Sequence, residues 1–205
     1  MALVITSPSG MINLSLARIG KKQFIGSLYE GSEAAQVALR IYGETRDEML
    51  RAYDWGFAER NTNLTLLKQA PVGGYFPPNV WNPATNPPPP WAFEYGYPVD
   101  CLKVRSVKPV PMFVQNFDPQ PNVFAVENDS NYTPAQKVIL CNAPSAMLVY
   151  TGQITDPSTW EADFIDGLAG KLGLRLAPAL ANMDAAKFEA GDAAQSMTTA
   201  EAEEG

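Results

Sequence analysis

Acid–base catalysis near neutral pH most often uses histidine, and this chain has none among its 205 residues. Ser-His-Asp and Cys-His chemistry are therefore excluded, and the commonest zinc ligand is missing. The two cysteines, Cys101 and Cys141, stand far apart without metal-ligand spacing and read as reduced, buried, small apolar residues. Carboxylates remain. Glu30, Glu94 and Asp100 are candidates for a glycosidase-type pair, which needs two carboxyl groups held across a cleft. Nothing in their spacing brings two of them together, so they read as solvated or capping groups. Asp100, two residues after Pro98, reads as a turn residue bonding its own backbone. "GLAGKLG" (167–173) is the one segment resembling a phosphate loop, but no Ser or Thr follows its Gly-Lys and it lies within a helical pattern. Its three-residue glycine spacing reads instead as a narrow ridge for close helix packing. No cofactor, metal or catalytic residue is expected, and the chain does not read as an enzyme.

Aromatic residues carry the remaining signal. Trp91, Phe93, Tyr95 and Tyr97 share one parity, so in a strand they face one side, either as a covered sheet face or as an intersubunit contact. Tyr75, Phe76 and Trp81 differ, because they lie in a loop with eight prolines between Pro71 and Pro90. Such a segment forms neither a helix nor a central strand, and it is expected to run extended over the surface and hold its aromatics out for contact.

The elements that must position these residues follow from local signals. Residues 8–19 read as a short helix with Ser7 as N-cap, Pro8 at its first position and Gly20 at its end. Ser32 opens a long amphipathic helix expected to reach Trp55, in which Gly43 hints at close packing or a bend. "NLTLLK" reads as one strand, followed by strand-like pieces at 91–97, 102–107, 123–126, 137–141 and 146–150. Asp156 as N-cap and Pro157 start the last helix, with Trp160, Phe164, Ile165, Leu168, Leu172 and Leu176 on its buried stripe. Pro178 should kink or end it. The expected fold is α+β: an antiparallel helical bundle from the N- and C-terminal helices, a small inserted antiparallel β domain, and extended loop and tail arms. The expected parts are an N-terminal helical part (1–60), the β region (61–152, with the Pro-rich loop at 70–90), the completing helix (153–182) and an acidic flexible tail (183–205).

The net charge of −7 is concentrated in that tail, where six acids face one base. No clustered Lys and Arg suggest a phosphate-gripping face, so free nucleic acid is a poor partner. No apolar run approaches the roughly 20 residues of a bilayer span, and the first residues lack a basic signal-peptide region, so an intracellular product with no membrane stage is expected.

In order along the chain stand "INLSLARIG", "GSEAAQVALRIY", "MLRAYDWGFAERNTNLTLL", "WAFEYGYPVDCLKVRSV" and "LVYTGQITDPSTWEADFIDGLAGKLGLRLA". This series resembles the head-to-tail adaptors of short-tailed bacteriophages, the tail tubular protein A type, over residues 8–182. Ala17, Gly20, Ala34, Ala35, Trp55, Phe57, Tyr97, Pro98, Asp100, Cys101, Tyr150, Asp156 and Pro157 match the family's scaffold positions. The resemblance implies a virion protein of the neck or tail, assembled in the host cytoplasm. It would form a homo-oligomeric ring, commonly of twelve copies, between the portal protein and the tail nozzle. Double-stranded DNA would pass through that ring without sequence-specific binding. The polyproline loop and the short acidic C-terminus depart from the family pattern. Met183, Lys187, Phe188 and Met197 are the candidate portal contacts, and Tyr75, Phe76 and Trp81 the candidate contacts to a neighbour or tail component. The alternatives are a tail-associated peptidoglycan-degrading enzyme, another neck or tail completion protein, and a Pro-rich module for SH3-like grooves.

Overall fold

The computed structural model describes residues 5–75, 78–110 and 120–180. The chain divides into two compact units, one formed by Met1–Met49 with Thr155–Gly205 and the other by Leu50–Ile154.

The first unit is helical among its described residues. Helix α1 spans Pro8–Arg18, and Ser7 caps it by accepting the Gly10 N–H at 3.1 Å. Its end is a Schellman turn: the Gly20 N–H donates to the Ala17 carbonyl, the Lys21 N–H to the Leu16 carbonyl, and Gly20 takes the left-handed φ of 78°. Helix α2 spans Glu33–Ala52, with the Ser32 hydroxyl accepting the Ala35 N–H. Helix α3 covers 162–180, and Phe164, Leu168, Leu172 and Leu176 on it are fully buried. Ions tie α3 to its neighbours: Arg175 reaches Thr45 and Glu48, Lys171 reaches Glu48, and Arg18 pairs with Asp166.

Three helix expectations need correction. Helix α2 stops at Ala52 rather than Trp55, because Asp54 and the Trp55 carbonyl bond to Lys103 and Arg105 instead. Asp156 and Pro157 begin a single 3₁₀ turn, Pro157–Thr159, capped by the Asp156 carboxylate on the Ser158 N–H, and α3 starts only at 162. Pro178 does not stop α3. It and Leu174, whose carbonyl it leaves without a donor, are both exposed, so that face of the helix is open to water.

The second unit holds seven strands. Sheet A has the order β1 (Glu59–Asn63), β7 (Ala146–Gly152), β4 (Cys101–Pro109). Sheet B has the order β2 (Leu66–Gln69), β3 (Phe93–Gly96), β6 (Gln136–Cys141), β5 (Phe124–Asp129). All pairs are antiparallel. Tyr95, Ile139 and Cys141 of sheet B and Val107, Leu148 and Tyr150 of sheet A belong to one apolar cluster. Both cysteines are reduced and buried there.

The expected helical bundle with a small β insertion is therefore incorrect. Among the described residues three helices stand against two antiparallel sheets of seven strands, and the β unit takes about half of the chain. "NLTLLK" accounts for part of the underestimate, since it is two strands in different sheets. The break falls at Leu64 and Thr65, where the Leu64 N–H bonds to Ala146 and the Thr65 carbonyl accepts from Gly96.

The glycine ridge of α3 does admit close neighbours. A Cβ on Gly173 would sit 3.2 Å from Ile19 Cγ2 and 3.5 Å from the Ser15 carbonyl, and one on Gly167 would sit 3.0 Å from Met49 Cε. At Gly43 nothing among the described residues lies within 4 Å of the added atom, so close packing is not its role. Gly173→Val should destabilise by about 2 kcal/mol through overpacking. Gly43→Ala should stabilise by about 1 kcal/mol through helix propensity. Urea unfolding of both variants checks the pair.

Candidate functional site

Of the scaffold-motif residues, Pro98, Asp100 and Tyr150 meet at one end of sheet A. The Pro98 carbonyl accepts the Cys101 N–H at 3.1 Å and turns the chain from β3 into β4. The Asp100 carboxylate does not bond its own backbone. It accepts from the Tyr150 hydroxyl at 3.2 and 3.3 Å and pairs with Arg60, while its carbonyl accepts the Gln153 N–H. Asp100 thus joins β1, β4 and β7. Gly152 is required for this, because a Cβ there would lie 2.6 Å from Arg60 Cδ. Tyr97 packs against the apolar cluster under Lys137, whose ammonium lies 4.5 Å from the ring centroid, and burial pushes the Tyr97 hydroxyl pKa up. Trp55 meets Tyr53 edge-on at 5.6 Å, and its carbonyl accepts from Arg105. Asp156 and Pro157 belong to the other unit.

A second constellation lies on sheet B. Phe93 and Tyr95 face the apolar cluster, so Glu94, between them, faces the other side. Without an irregularity, Lys68 on β2 would fall opposite Phe93. The β2–β3 register shifts between Leu66 and Lys68, and Lys68 instead stands opposite Glu94. This one-residue bulge turns the lysine from the apolar face to the Glu94 face. Asp129, at the end of β5, completes the group, and all three residues are buried, with Glu94 only 1% exposed.

Lys68 Nζ pairs with Asp129, lies 3.4 Å from Glu94 Oε1, donates to the Pro83 carbonyl at 3.0 Å, and sits 5.1 Å from the Tyr132 ring centroid. Burial pushes the Glu94 carboxyl above its ordinary range, and Lys68 only partly offsets this. Burial also pushes Asp129 up, but Lys68 and the N–H and amide groups of Asn131 outweigh it and hold the pKa at about 2. Lys68 is desolvated yet held above its usual value, because Asp129 and Glu94 favour its charge.

The Pro-rich loop roofs this face. Tyr75 and Trp81 both donate to the Pro87 carbonyl, at 2.6 and 3.0 Å, and Asn86 donates to the Gln69 carbonyl of β2. Beneath it, Trp81, Pro83 and Pro88 join Lys68, Glu94 and Asp129 around a cavity of about 350 Å³. Trp81 remains 43% exposed, so it is half covered by its own loop rather than held out on an arm. Phe76, Met183, Lys187, Phe188 and Met197 lie outside the described residues.

Among the sequence candidates, Glu30 is a loop cap. Its carboxylate accepts from the Ser32 hydroxyl and the Gly26 N–H, which lower its pKa. Glu94 does meet a second carboxylate, Asp129, which sequence spacing did not single out. The inward parity of Glu94 was readable from its aromatic neighbours, whereas Asp129 sits in "ENDSN" and looks like a turn residue. No group of His, Cys, Asp and Glu suited to a metal occurs among the described residues, and none of their helices is long and apolar enough to cross a membrane. No family model matches the chain, and no curated protein matches it.

The opposite pKa shifts make opposite predictions. Asp129→Asn strands a buried ammonium and should cost about 3 kcal/mol at neutral pH. A depressed carboxylate contributes stability above its unfolded pKa, so this loss should shrink as pH falls from about 4 to about 2. Glu94 has a raised pKa, so its ionisation costs stability as pH rises through that value. Glu94→Gln should therefore stabilise at neutral pH, and the gain should fade as pH falls and Glu94 takes up its proton. Urea unfolding of the parent and both variants across this range checks both signs.

Proposed function

We propose that the chain is a head-to-tail adaptor of a short-tailed bacteriophage, a structural subunit that closes into a ring between portal and tail nozzle. The observation that carries this reading is the convergence of Tyr97, Pro98, Asp100 and Tyr150. Asp100 accepts from the Tyr150 hydroxyl 50 positions away and pairs with Arg60, Pro98 turns the chain into β4 beside it, and Tyr97 packs against the apolar cluster. Their work there is to hold strands, as expected of scaffold positions.

Charge supports the same reading. Outside the acidic tail the chain carries no excess of positive charge, which suits a channel subunit past which DNA must slide without sticking. A ring interface is heterologous, so two different faces of each subunit must meet and close the circle. Residues 183–205, with Met183, Lys187, Phe188 and Met197, are proposed to dock on the portal, gaining order only when that surface is present. The exposed part of Trp81, with Tyr75 and Phe76 in the same loop, is the proposed contact to a neighbouring subunit or tail component.

A second reading, a peptidoglycan-degrading tail enzyme, draws on the Glu94–Asp129 pair, whose pKa values are pushed apart as in acid–base sites. Lys68 lies against both carboxylates, which favours a structural role for them. A zymogram against peptidoglycan with the parent protein and Glu94→Gln tests this reading, and a cleared band lost in the variant would support it.

Mixing the purified chain with its portal and imaging by negative stain tests the adaptor. Closed rings in register with the portal are expected, and a chain that stays unbound overturns the reading. Removing residues 183–205 should abolish binding to portal-capped heads; normal binding would remove the claim about the tail.

A further inference from the structure

The cavity under the Pro-rich loop has a chemistry that strand-holding does not explain. Its walls hold three carboxylates, Glu94, Asp129 and Glu127, against one ammonium, Lys68. Lys68 is spoken for by Asp129 and the Pro83 carbonyl. Glu94 Oε1 is buried and, although it ion-pairs with Lys68 at 3.4 Å, makes no hydrogen bond. A buried carboxylate oxygen left in this state costs free energy that a donor entering the cavity would recover. An aromatic wall, Trp81, has its ring tethered through the indole N–H to Pro87.

From this combination we infer that the cavity is a binding site for a guanidinium group, recognised by the Glu94 carboxylate and the face of Trp81. A planar cation fits best for three reasons. The walls carry excess negative charge, the buried Glu94 oxygen makes no hydrogen bond and can take a donor, and an indole face attracts a flat cation. A volume of about 350 Å³ suits a group of side-chain size. A metal ion is disfavoured because no group of His, Cys, Asp and Glu suited to one occurs among the described residues. This inference does not rest on the adaptor reading.

The groups facing Glu94 are Lys68 on β2, Asp129 and Glu127 on β5, and Tyr132 beyond β5; from the loop, Trp81, Pro83, Asn86 and Pro88 bring no charge. Burial raises the pKa of Glu94, so occupancy should weaken as pH falls and this carboxyl takes up its proton.

Titration of the full-length chain with acetyl-arginine amide, followed by NMR at the Trp81 indole N–H, tests the site. The isosteric but uncharged acetyl-citrulline amide should bind at least about tenfold more weakly. Glu94→Gln should lose the same factor while keeping its circular dichroism spectrum, and Glu127→Gln, on the rim, should lose less. Tighter binding of the blocked arginine than of free arginine assigns the group to a protein side chain, and the reverse assigns it to a small metabolite; either supports the site. Equal binding of citrulline and arginine, no shift at millimolar ligand, or unchanged affinity in Glu94→Gln overturns it.

Discussion

A lysine ammonium buried without partners costs far more than a domain's marginal stability can tolerate, so Lys68 constrains everything around it. Its strand must bulge to turn it from the apolar face, and β5 must end with Asp129 within reach. A third partner comes from outside the sheet, the Pro83 carbonyl, which brings the Pro-rich loop down over the same face. One side of sheet B therefore packs as core with Tyr95 and Ile139, while the other lines a small half-open cavity that holds the charged groups.

The prolines suit the roof over that cavity. A segment laid across a sheet hides backbone groups from water, and every hidden N–H needs an acceptor. Proline has no N–H, so a covering rich in proline brings fewer donors to satisfy while still offering carbonyls. Those carbonyls are used: Pro83 accepts from Lys68, and Pro87 accepts from both Tyr75 and Trp81. The stiffness that suggested a projecting arm instead lets a loop without ladder hydrogen bonds keep one shape over the polar face.

Features set by neighbours in sequence were legible from it. Ser7 and Gly20 bound α1 through bonds spanning only a few residues, and turn residues separate most of the strands. Features set by distant partners were not. The end of α2 depends on Arg105, about 50 positions away, and the tolerance of Pro178 depends on which face of α3 meets water. The candidate site was half visible. Glu94 was read as solvated or capping, although its alternation with Phe93 and Tyr95 was there to be seen, and the turn of Lys68 to the same face depends on a bulge that leaves no mark in "LLKQ". Asp100 was misread for the same reason: its partners, Arg60 and Tyr150, come from other strands.

The buried charges also supply what apolar residues could not. Strand β2 is four residues long, and its adjacent Leu66 and Leu67 would let either parity face the core. A leucine at position 68 would remove the last distinction between the two registers, and an apolar replacement of a buried ion set is often the more stable choice. With lysine there, the unbulged register would drive an ammonium into the cluster around Tyr95 and leave Glu94 and Asp129 without their cation. The ion set therefore acts against the wrong pairing more than it strengthens the right one. A single register across sheet B therefore matters more here than a few kcal/mol of extra stability.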